Sequence, residues 1–180
     1  MGGSGVETEV KLRVASAEAA RAALERLGAL PVLPRILEDN VLYDDEAGSL
    51  RAAGALLRLR ESGAETLLTF KGPKRILEGA KSRDEHETRV ASAAEMRAIL
   101  TAAGYRPVFR YQKYRQTWAW REVEIVVDET PIGTFFEVEG ELPAIHEAAA
   151  ALGYTSNDYV SESYASLFLA TGRRGDMIFT

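Results

Sequence analysis

The 180-residue sequence contains no cysteine and only two histidines. The lack of cysteine excludes a disulfide framework, a thiolate metal site and a cysteine nucleophile. Neither His86 nor His146 has a second histidine at ligand spacing, so the sequence does not indicate a histidine metal site. No apolar run is long enough to span a bilayer, and no signal peptide is visible. We therefore expect a cytoplasmic protein with no membrane partner.

Several motifs of common enzymes are also missing. The sequence has no Gly-x-x-x-x-Gly-Lys-Ser/Thr phosphate loop and no Gly-x-Ser-x-Gly elbow, so nucleophilic catalysis by serine is not indicated. A formal net charge of -5 argues against nucleic acid as a partner. The length suits one domain, which we expect over residues 6–172. Residues 1–5 look like a flexible start or an expression remnant, and residues 173–180 like a loose tail.

Charged residues recur at every second position in several segments of the chain. Side chains of a β-strand alternate between two faces, so each such segment predicts a strand with one charged face and one apolar face. The clearest segments are 7–13, 56–60, 66–71, 85–89, 122–128 and 136–139. The strand that carries Lys113 and Arg115 alternates least regularly, because its other face is not apolar.

The alternation and the capping residues together predict eight strands and four helices. Ser16 and Ser92 are typical helix N-caps, and Pro143 is typical of a first helical turn. We expect helices over 16–27, 92–104, 143–153 and 161–170. We expect strands near 6–14, 39–45, 55–61, 65–71, 84–90, 107–118, 122–128 and 134–140.

Two architectures fit strands that are apolar on one face and charged on the other. One is an open antiparallel sheet with helices on its apolar face and water on the other. The other is a barrel of about eight strands, with helices outside and the charged faces inside. The alternation alone leaves both open, although the density of charge favours the barrel.

Charges inside a barrel would need partners, because a buried unpaired charge costs several kcal/mol. Arginine and lysine suit phosphate oxygens, whereas carboxylates suit hard cations such as Mg²⁺ or Mn²⁺. A Glu-x-Glu strand places two carboxylates on one face about 7 Å apart. One such strand alone is usually an ordinary solvated sheet face. The whole set favours a polyanion that is bound through metal ions.

The order of these motifs resembles the CYTH family, also called triphosphate tunnel metalloenzymes. Glu7-x-Glu9-x-Lys11 is similar to the family's N-terminal Glu-x-Glu-x-Lys hallmark. The later motifs follow in family order: Arg58-x-Arg60, Thr69-Phe70-Lys71-Gly72-Pro73, Arg83-x-Glu85-x-Glu87, Lys113-Tyr114-Arg115, Asp128 and Glu137-x-Glu139. The resemblance spans residues 7–139. The chain departs from it at Glu162, where some relatives carry a lysine near the final Ser-Tyr.

The resemblance implies an α+β fold: a closed eight-stranded antiparallel β-barrel, or tunnel, with a polar charged lumen and helices packed outside. It implies a small-molecule triphosphate substrate and Mg²⁺ or Mn²⁺ as cofactor. The implied metal ligands are Glu7, Glu9, Asp128, Glu137 and Glu139. The implied phosphate-binding residues are Lys11, Arg58, Arg60, Lys71, Lys113 and Arg115. The candidate catalytic residues are Lys11, Glu85 and Glu87.

Three functions remain open from the sequence. The first is a metal-dependent triphosphatase that acts on inorganic or organic triphosphate. The second is a class IV adenylyl cyclase that converts ATP to cyclic AMP and pyrophosphate, and the third is a non-catalytic module that binds polyphosphate or nucleotide. The substrate, the preferred metal and the oligomeric state, including a homodimer, stay open as well.

Overall fold

Nine β-strands form one antiparallel sheet in the computed structural model, which describes residues 4–180. The strands are β1 Ser4–Val14, β2 Leu30–Asp44, β3 Leu56–Ser62, β4 Glu65–Lys71, β5 Arg75–Leu77, β6 Ala80–Arg89, β7 Arg106–Trp120, β8 Val123–Thr130 and β9 Gly133–Glu139. The helices are α1 Ala17–Leu27, α2 Ser49–Ala52, α3 Ala93–Ala102, α4 Leu142–Ala151 and α5 Tyr164–Ala170, with a 3-10 turn at Ser156–Asp158. No described helix is long and apolar enough to cross a membrane.

Strand β1 closes the sheet into a barrel. Its first half pairs with β6 and its second half with β9, and Glu9 has a partner on each side. The order β1-β9-β8-β7-β2-β3-β4-β6 therefore returns to β1, while β5 is an additional strand on β6. The prediction of a closed eight-stranded antiparallel barrel is confirmed, and the open sheet is excluded.

The apolar faces of the strands point outward, as the alternation predicts. On the outside of β1, β8 and β9, buried residues such as Val10, Ile125 and Val138 pack under α1 and α4. Helix α1 begins after Ser16, whose hydroxyl accepts a hydrogen bond from the Ala19 amide. Burying one large aliphatic side chain in such a layer stabilises the fold by about 1.5–3 kcal/mol. The helices therefore cover the oily exterior and leave the charged faces inside.

One end of the barrel is closed by α5 and the C-terminal tail. An aromatic cluster plugs this end, and it consists of Tyr111, Phe135, Tyr164, Phe168 and Met177. The fully buried Met177 also exchanges backbone hydrogen bonds with β7, to Arg110 and Gln112. Part of the tail is thus docked, which differs from the loose segment predicted for 173–180. At the other terminus β1 begins at Ser4, and residues 1–3 of the predicted flexible start lie outside the described residues.

Strand β2 begins nine residues earlier than predicted, at Leu30 and not at 39. Its first half pairs only with β7, because β3 reaches no further than Glu38. Pro31 and Pro34 interrupt the alternation here, and proline is tolerated in a strand that has a free edge. The alternation of side chains therefore did not predict the first half of β2.

Candidate functional site

A cavity of roughly 480 Å³ occupies the barrel interior, and all eight barrel strands contribute side chains to its wall. Its carboxylates are Glu7, Glu9, Glu38, Glu65, Glu85, Glu87, Glu124, Glu137 and Glu139, and its cations are Lys11, Arg58, Arg60, Lys71, Lys81, Arg83, Lys113 and Arg115. Every predicted site residue except Asp128 therefore lies on this wall.

The cavity has one plugged end and one exposed end. Ser163, Tyr164 and Ala165, at the start of α5, line it at the plugged end. At the opposite end, where β8 starts and β9 finishes, Glu124 and Glu139 are exposed to solvent. We call this second end the mouth. A ligand that enters through the mouth meets carboxylates before it reaches the interior.

Three carboxylates lie side by side at the mouth. Glu139 is the cross-strand partner of both Glu9 and Glu124, and like charges in directly opposite positions destabilise a sheet. Loss of water around Glu139, together with repulsion from Glu7 and Glu9, raises its pKa to about 7, although its side chain is exposed within the mouth. The row of carboxylates formed by Glu9, Glu139 and Glu124 therefore carries negative charge that the protein itself does not fully neutralise.

Lysines hold the inner carboxylates of the same region. Lys71 Nζ lies 2.6 Å from Glu7 Oε1, and Lys81 forms an ion pair with Glu9. Burial and repulsion from Glu9 and Glu85 nevertheless raise the pKa of Glu7 to about 7, and Lys71, which also lies 2.8 Å from Glu85, offsets them only in part. The lysine contacts of Glu7 are thus too weak to keep this carboxyl ionised below neutral pH.

The donor set of this acidic region suits a hard divalent cation. Carboxylate oxygens are the ligands that Mg²⁺ prefers, and a cation would relieve the repulsion among Glu7, Glu9 and Glu139. Within residues 4–180, no three carboxylate or imidazole groups are already arranged as a metal cage. The inner carboxylates point to lysines instead, as Glu137 does to Lys11 at 3.2 Å. The residues fit a metal ion whose binding replaces these lysine contacts.

Cations dominate the middle of the cavity, around the buried carboxylate of Glu38. Glu38 Oε1 accepts a hydrogen bond from Arg60 at 3.3 Å, and Glu38 Oε2 lies 3.6 Å from Lys113 Nζ. Burial alone would raise the pKa of Glu38, but Lys113, Arg115 and other cations outweigh it and lower this pKa to about 2. The Nε groups of Arg58 and Arg60 have no hydrogen-bond partner among the described residues, so both guanidinium groups retain unused donors.

Asp128 lies behind the cavity wall and not on it. The fully buried carboxylate accepts hydrogen bonds from Lys113 Nζ at 2.8 Å, Arg115 Nε at 2.7 Å and the Tyr164 hydroxyl at 2.8 Å. These donors occupy both carboxylate oxygens. In the metal-free protein Asp128 therefore holds the cations that face the cavity, and its implied role as a metal ligand stays a prediction.

Glu85 and Glu87, the candidate catalytic carboxylates, lie next to each other along β6 on the cavity wall. Glu85 forms an ion pair with Lys71, whereas Glu87 accepts hydrogen bonds from Thr69 Oγ1 at 2.7 Å and Arg60 at 3.0 Å. Lys11, the third candidate, is buried and lies 4.2 Å from the centroid of the Tyr164 ring. All three groups are near the cations, and their catalytic roles stay predictions.

Sequence reasoning did not include several residues of the site, among them Glu38, Lys81 and Tyr164. Glu38 precedes the predicted start of its strand by one position, and Lys81 precedes the predicted strand 84–90 by three positions. The hydroxyl of Tyr164 holds Asp128, and its ring lies under both Lys11 and Lys113. An alternation search that tolerated proline would have included Glu38, since Ile36, Glu38 and Asn40 occupy alternate positions of β2.

A family model for the CYTH domain matches residues 5–164. The chain belongs to the CYTH family. CYTH proteins are typically enzymes, triphosphatases or cyclases, and are generally dependent on divalent metal ions. The motif order seen in the sequence, from Glu7 to Glu139, lies within the matched range. No curated protein matches the chain in sequence.

Several solved structures share this fold. A candidate adenylate cyclase from Vibrio parahaemolyticus aligns with a TM-score of 0.81 at 19% identity, over 93% of this chain and 99% of that one. The PH1819 protein from Pyrococcus horikoshii OT3 aligns with a TM-score of 0.73 at 24% identity, over 92% and 99%. A candidate adenylyl cyclase from Hippeastrum, described as having a dominant triphosphatase activity, aligns with a TM-score of 0.70 at 20% identity, over 92% and 96%. At these identities the likeness establishes the fold.

The raised pKa of Glu7 predicts that the metal-free protein loses stability as pH rises. Between the ordinary carboxyl pKa of 4.5 and about 7, the folded protein holds a proton that the unfolded chain has released. From Glu7 alone we expect a loss on the order of 2 kcal/mol between about pH 5 and pH 8, or about 4–8 °C in Tm, and the raised pKa of Glu139 acts in the same direction. Thermal melting in EDTA at both pH values measures it. A Tm that is constant or rises with pH over this interval contradicts the prediction, whereas added Mg²⁺ should restore stability at the higher pH.

Proposed function

We propose that this protein is a divalent-metal-dependent triphosphatase that hydrolyses a phosphoanhydride bond of a small triphosphate compound. The observation that supports this most directly is the segregation of charge in one cavity. Carboxylates gather at the mouth on β1, β8 and β9, while cations surround Glu38 in the middle. A long polyanion that enters with a metal ion would be complementary to both regions.

The cations in the middle of the cavity would hold the phosphate chain. Arg58 and Arg60 of β3 and Lys113 and Arg115 of β7 converge there from the two strands that flank β2, and guanidinium groups bind phosphate oxygens through two donors at once. Lys71 and Lys11 stand closer to the carboxylates and would contact the phosphates nearest to the metal. Asp128 supports this arrangement from behind, because it fixes the positions of Lys113 and Arg115.

Glu7, Glu9, Glu137 and Glu139 would hold the metal. A bound divalent ion would supply charge neutralisation for the phosphates and polarise the bond that breaks. Release of Lys71 and Lys81 from Glu7 and Glu9 would free two cations for the phosphate oxygens. The carboxylates would exchange their lysine contacts for the metal, and the released lysines would bind the phosphates. Metal binding and substrate binding would therefore favour each other.

In the proposed reaction, a water oxygen attacks the terminal phosphorus and the bond from that phosphorus to the bridging oxygen breaks. Glu85 or Glu87 takes the proton of the attacking water, and the cations around Glu38 stabilise the negative charge on the diphosphate leaving group. The aromatic plug at α5 closes the far end, so the mouth is the end through which water would reach the phosphates. Positioning and charge stabilisation supply most of the rate enhancement in such phosphoryl transfers.

A panel of triphosphates tests the proposal. We expect free phosphate from inorganic triphosphate or ATP in the presence of Mg²⁺ or Mn²⁺, and none in EDTA. Cyclic AMP and pyrophosphate from ATP would replace the proposal by the cyclase function. Tight binding of triphosphates with no product would point to the non-catalytic module.

A further inference from the structure

Part of the mouth is apolar, and the charges of the proposed reaction do not account for it. Leu33, Pro34 and Ile36 of β2, which we call the apolar lip, line the cavity on the side away from Glu139. Leu33 is 57% exposed, and Pro34 is exposed as well. Neighbouring apolar side chains that are exposed at the edge of a cavity are a feature of ligand-binding grooves.

The lip lies directly on the mouth side of the phosphate-binding cations. Strands β2 and β7 pair Glu38 with Lys113, then Ile36 with Arg115, then Leu33 with Thr117. Successive positions on one face of a strand are about 7 Å apart. A ligand that follows this wall outward therefore passes from Lys113 to Arg115 and then reaches apolar side chains.

The lip is held in place by its neighbours. A methyl group added to Gly63, in the turn between β3 and β4, would lie 2.9 Å from Ile36 Cδ1, so that turn packs tightly against Ile36. Next to Leu33, Thr117 on β7 is the partner of Val126 on β8, which also lines the cavity. Apolar side chains on β2 and β8 therefore flank Thr117, and the lip does not depend on a single side chain.

We propose that the apolar lip binds the organic group of a triphosphate ester, so that the protein selects organic triphosphates over inorganic triphosphate. This inference rests on the proposed function, because it assumes that Lys113 and Arg115 hold the phosphates. The group esterified to the last phosphate would lie against Leu33 and Ile36 and cover them from water. Inorganic triphosphate has no such group and would leave the lip exposed.

Three probes that differ only in the organic group test the inference: inorganic triphosphate, methyl triphosphate and ATP, each with Mg²⁺. We expect kcat/KM to rise in that order for the unchanged protein. Leu33→Ser should lower kcat/KM for ATP about tenfold, which corresponds to about 1.4 kcal/mol, and leave inorganic triphosphate within about twofold. Because Leu33 is largely exposed, we expect the variant to fold, and a measurement of its Tm checks this.

Leu37→Ser is the matched control. Leu37 lies on the same strand and is exposed, but it does not line the cavity. The lip assignment would be overturned if the two substitutions lowered kcat/KM for ATP equally. It would also be overturned if Leu33→Ser lowered kcat/KM for inorganic triphosphate as much as for ATP. Dissociation constants for ATP and inorganic triphosphate, measured in parallel, test the lip even without turnover. If none of the three probes is hydrolysed, the proposed hydrolysis is wrong, but the lip is still tested by binding. If Leu33→Ser and Leu37→Ser bind ATP with equal affinity, the lip does not bind the organic group.

Discussion

Glu139→Gln is expected to lower kcat/KM for triphosphate hydrolysis by about 100-fold or more, while the metal-free protein becomes no less stable. The activity should fall because a proposed metal ligand is lost. Even groups that only support a ligand cost 10–100-fold in metal affinity or activity when they are removed. Raising the Mg²⁺ or Mn²⁺ concentration should recover part of the activity, since the remaining carboxylates still bind the ion weakly.

Glu139→Gln should not lower the stability of the metal-free protein, although it lowers the activity, because Glu139 lies between two other carboxylates. Its cross-strand neighbours are Glu9 and Glu124, and its pKa of about 7 shows that ionisation is unfavourable in the folded protein. A neutral glutamine removes this repulsion and fits the same space. Above neutral pH in EDTA, we therefore expect a Tm equal to or higher than that of the unchanged protein.

Glu122→Gln serves as the control for this experiment. Glu122 is exposed in the turn between β7 and β8 and does not line the main cavity, so both activity and Tm should stay unchanged. Kinetics over a metal titration, together with melting curves in EDTA, separate the two residues. Full activity of Glu139→Gln at ordinary metal concentrations would remove Glu139 from the metal site.

Asp128→Asn is expected to lower the free energy of unfolding by about 3 kcal/mol, or about 6–12 °C in Tm. The carboxylate is fully buried and receives hydrogen bonds from Lys113, Arg115 and Tyr164. Removing one member of a buried ion pair leaves its partner's charge uncompensated, and that is among the most destabilising single changes. The amide also presents a donor to groups that are themselves donors.

Tyr164→Phe gives a graded comparison within the same cluster. It removes one hydrogen bond from an uncharged hydroxyl to the Asp128 carboxylate and keeps both ion pairs, so we expect a loss of only about 1.5 kcal/mol. Chemical denaturation of the three proteins measures the order. If Asp128→Asn costs no more than Tyr164→Phe, the carboxylate does not anchor the cations, and its main role would be the implied one of a metal ligand.

Much of the barrel wall could be predicted from alternation alone. The inward positions of Glu7, Arg58 and Glu137 follow from a side-chain period of two, which depends only on the backbone geometry of a strand. The alternation predicts the inward face correctly even in β7, where Lys113 and Arg115 face the cavity although the opposite face is not apolar. Local patterning was sufficient here because one face of each strand had to be buried under helices.

Other features depended on which strands become neighbours. The row formed by Glu9, Glu139 and Glu124 joins residues that are more than a hundred positions apart, and no local pattern specifies that register. Lys81 became a partner of Glu9 only because β6 pairs with the first half of β1. The docking of Met177 on β7 likewise depends on a distant strand edge.

The sequence by itself determined which side chains share a face, because alternation is a local property of the chain. It also determined the family, because the motifs keep their order. Only the tertiary structure decided that β1 joins β6 to β9, that Asp128 lies behind the wall, and that the apolar lip stands beside Arg115. These three facts arise from long-range pairing, whose register is set by the packing of the whole barrel and not by any one segment.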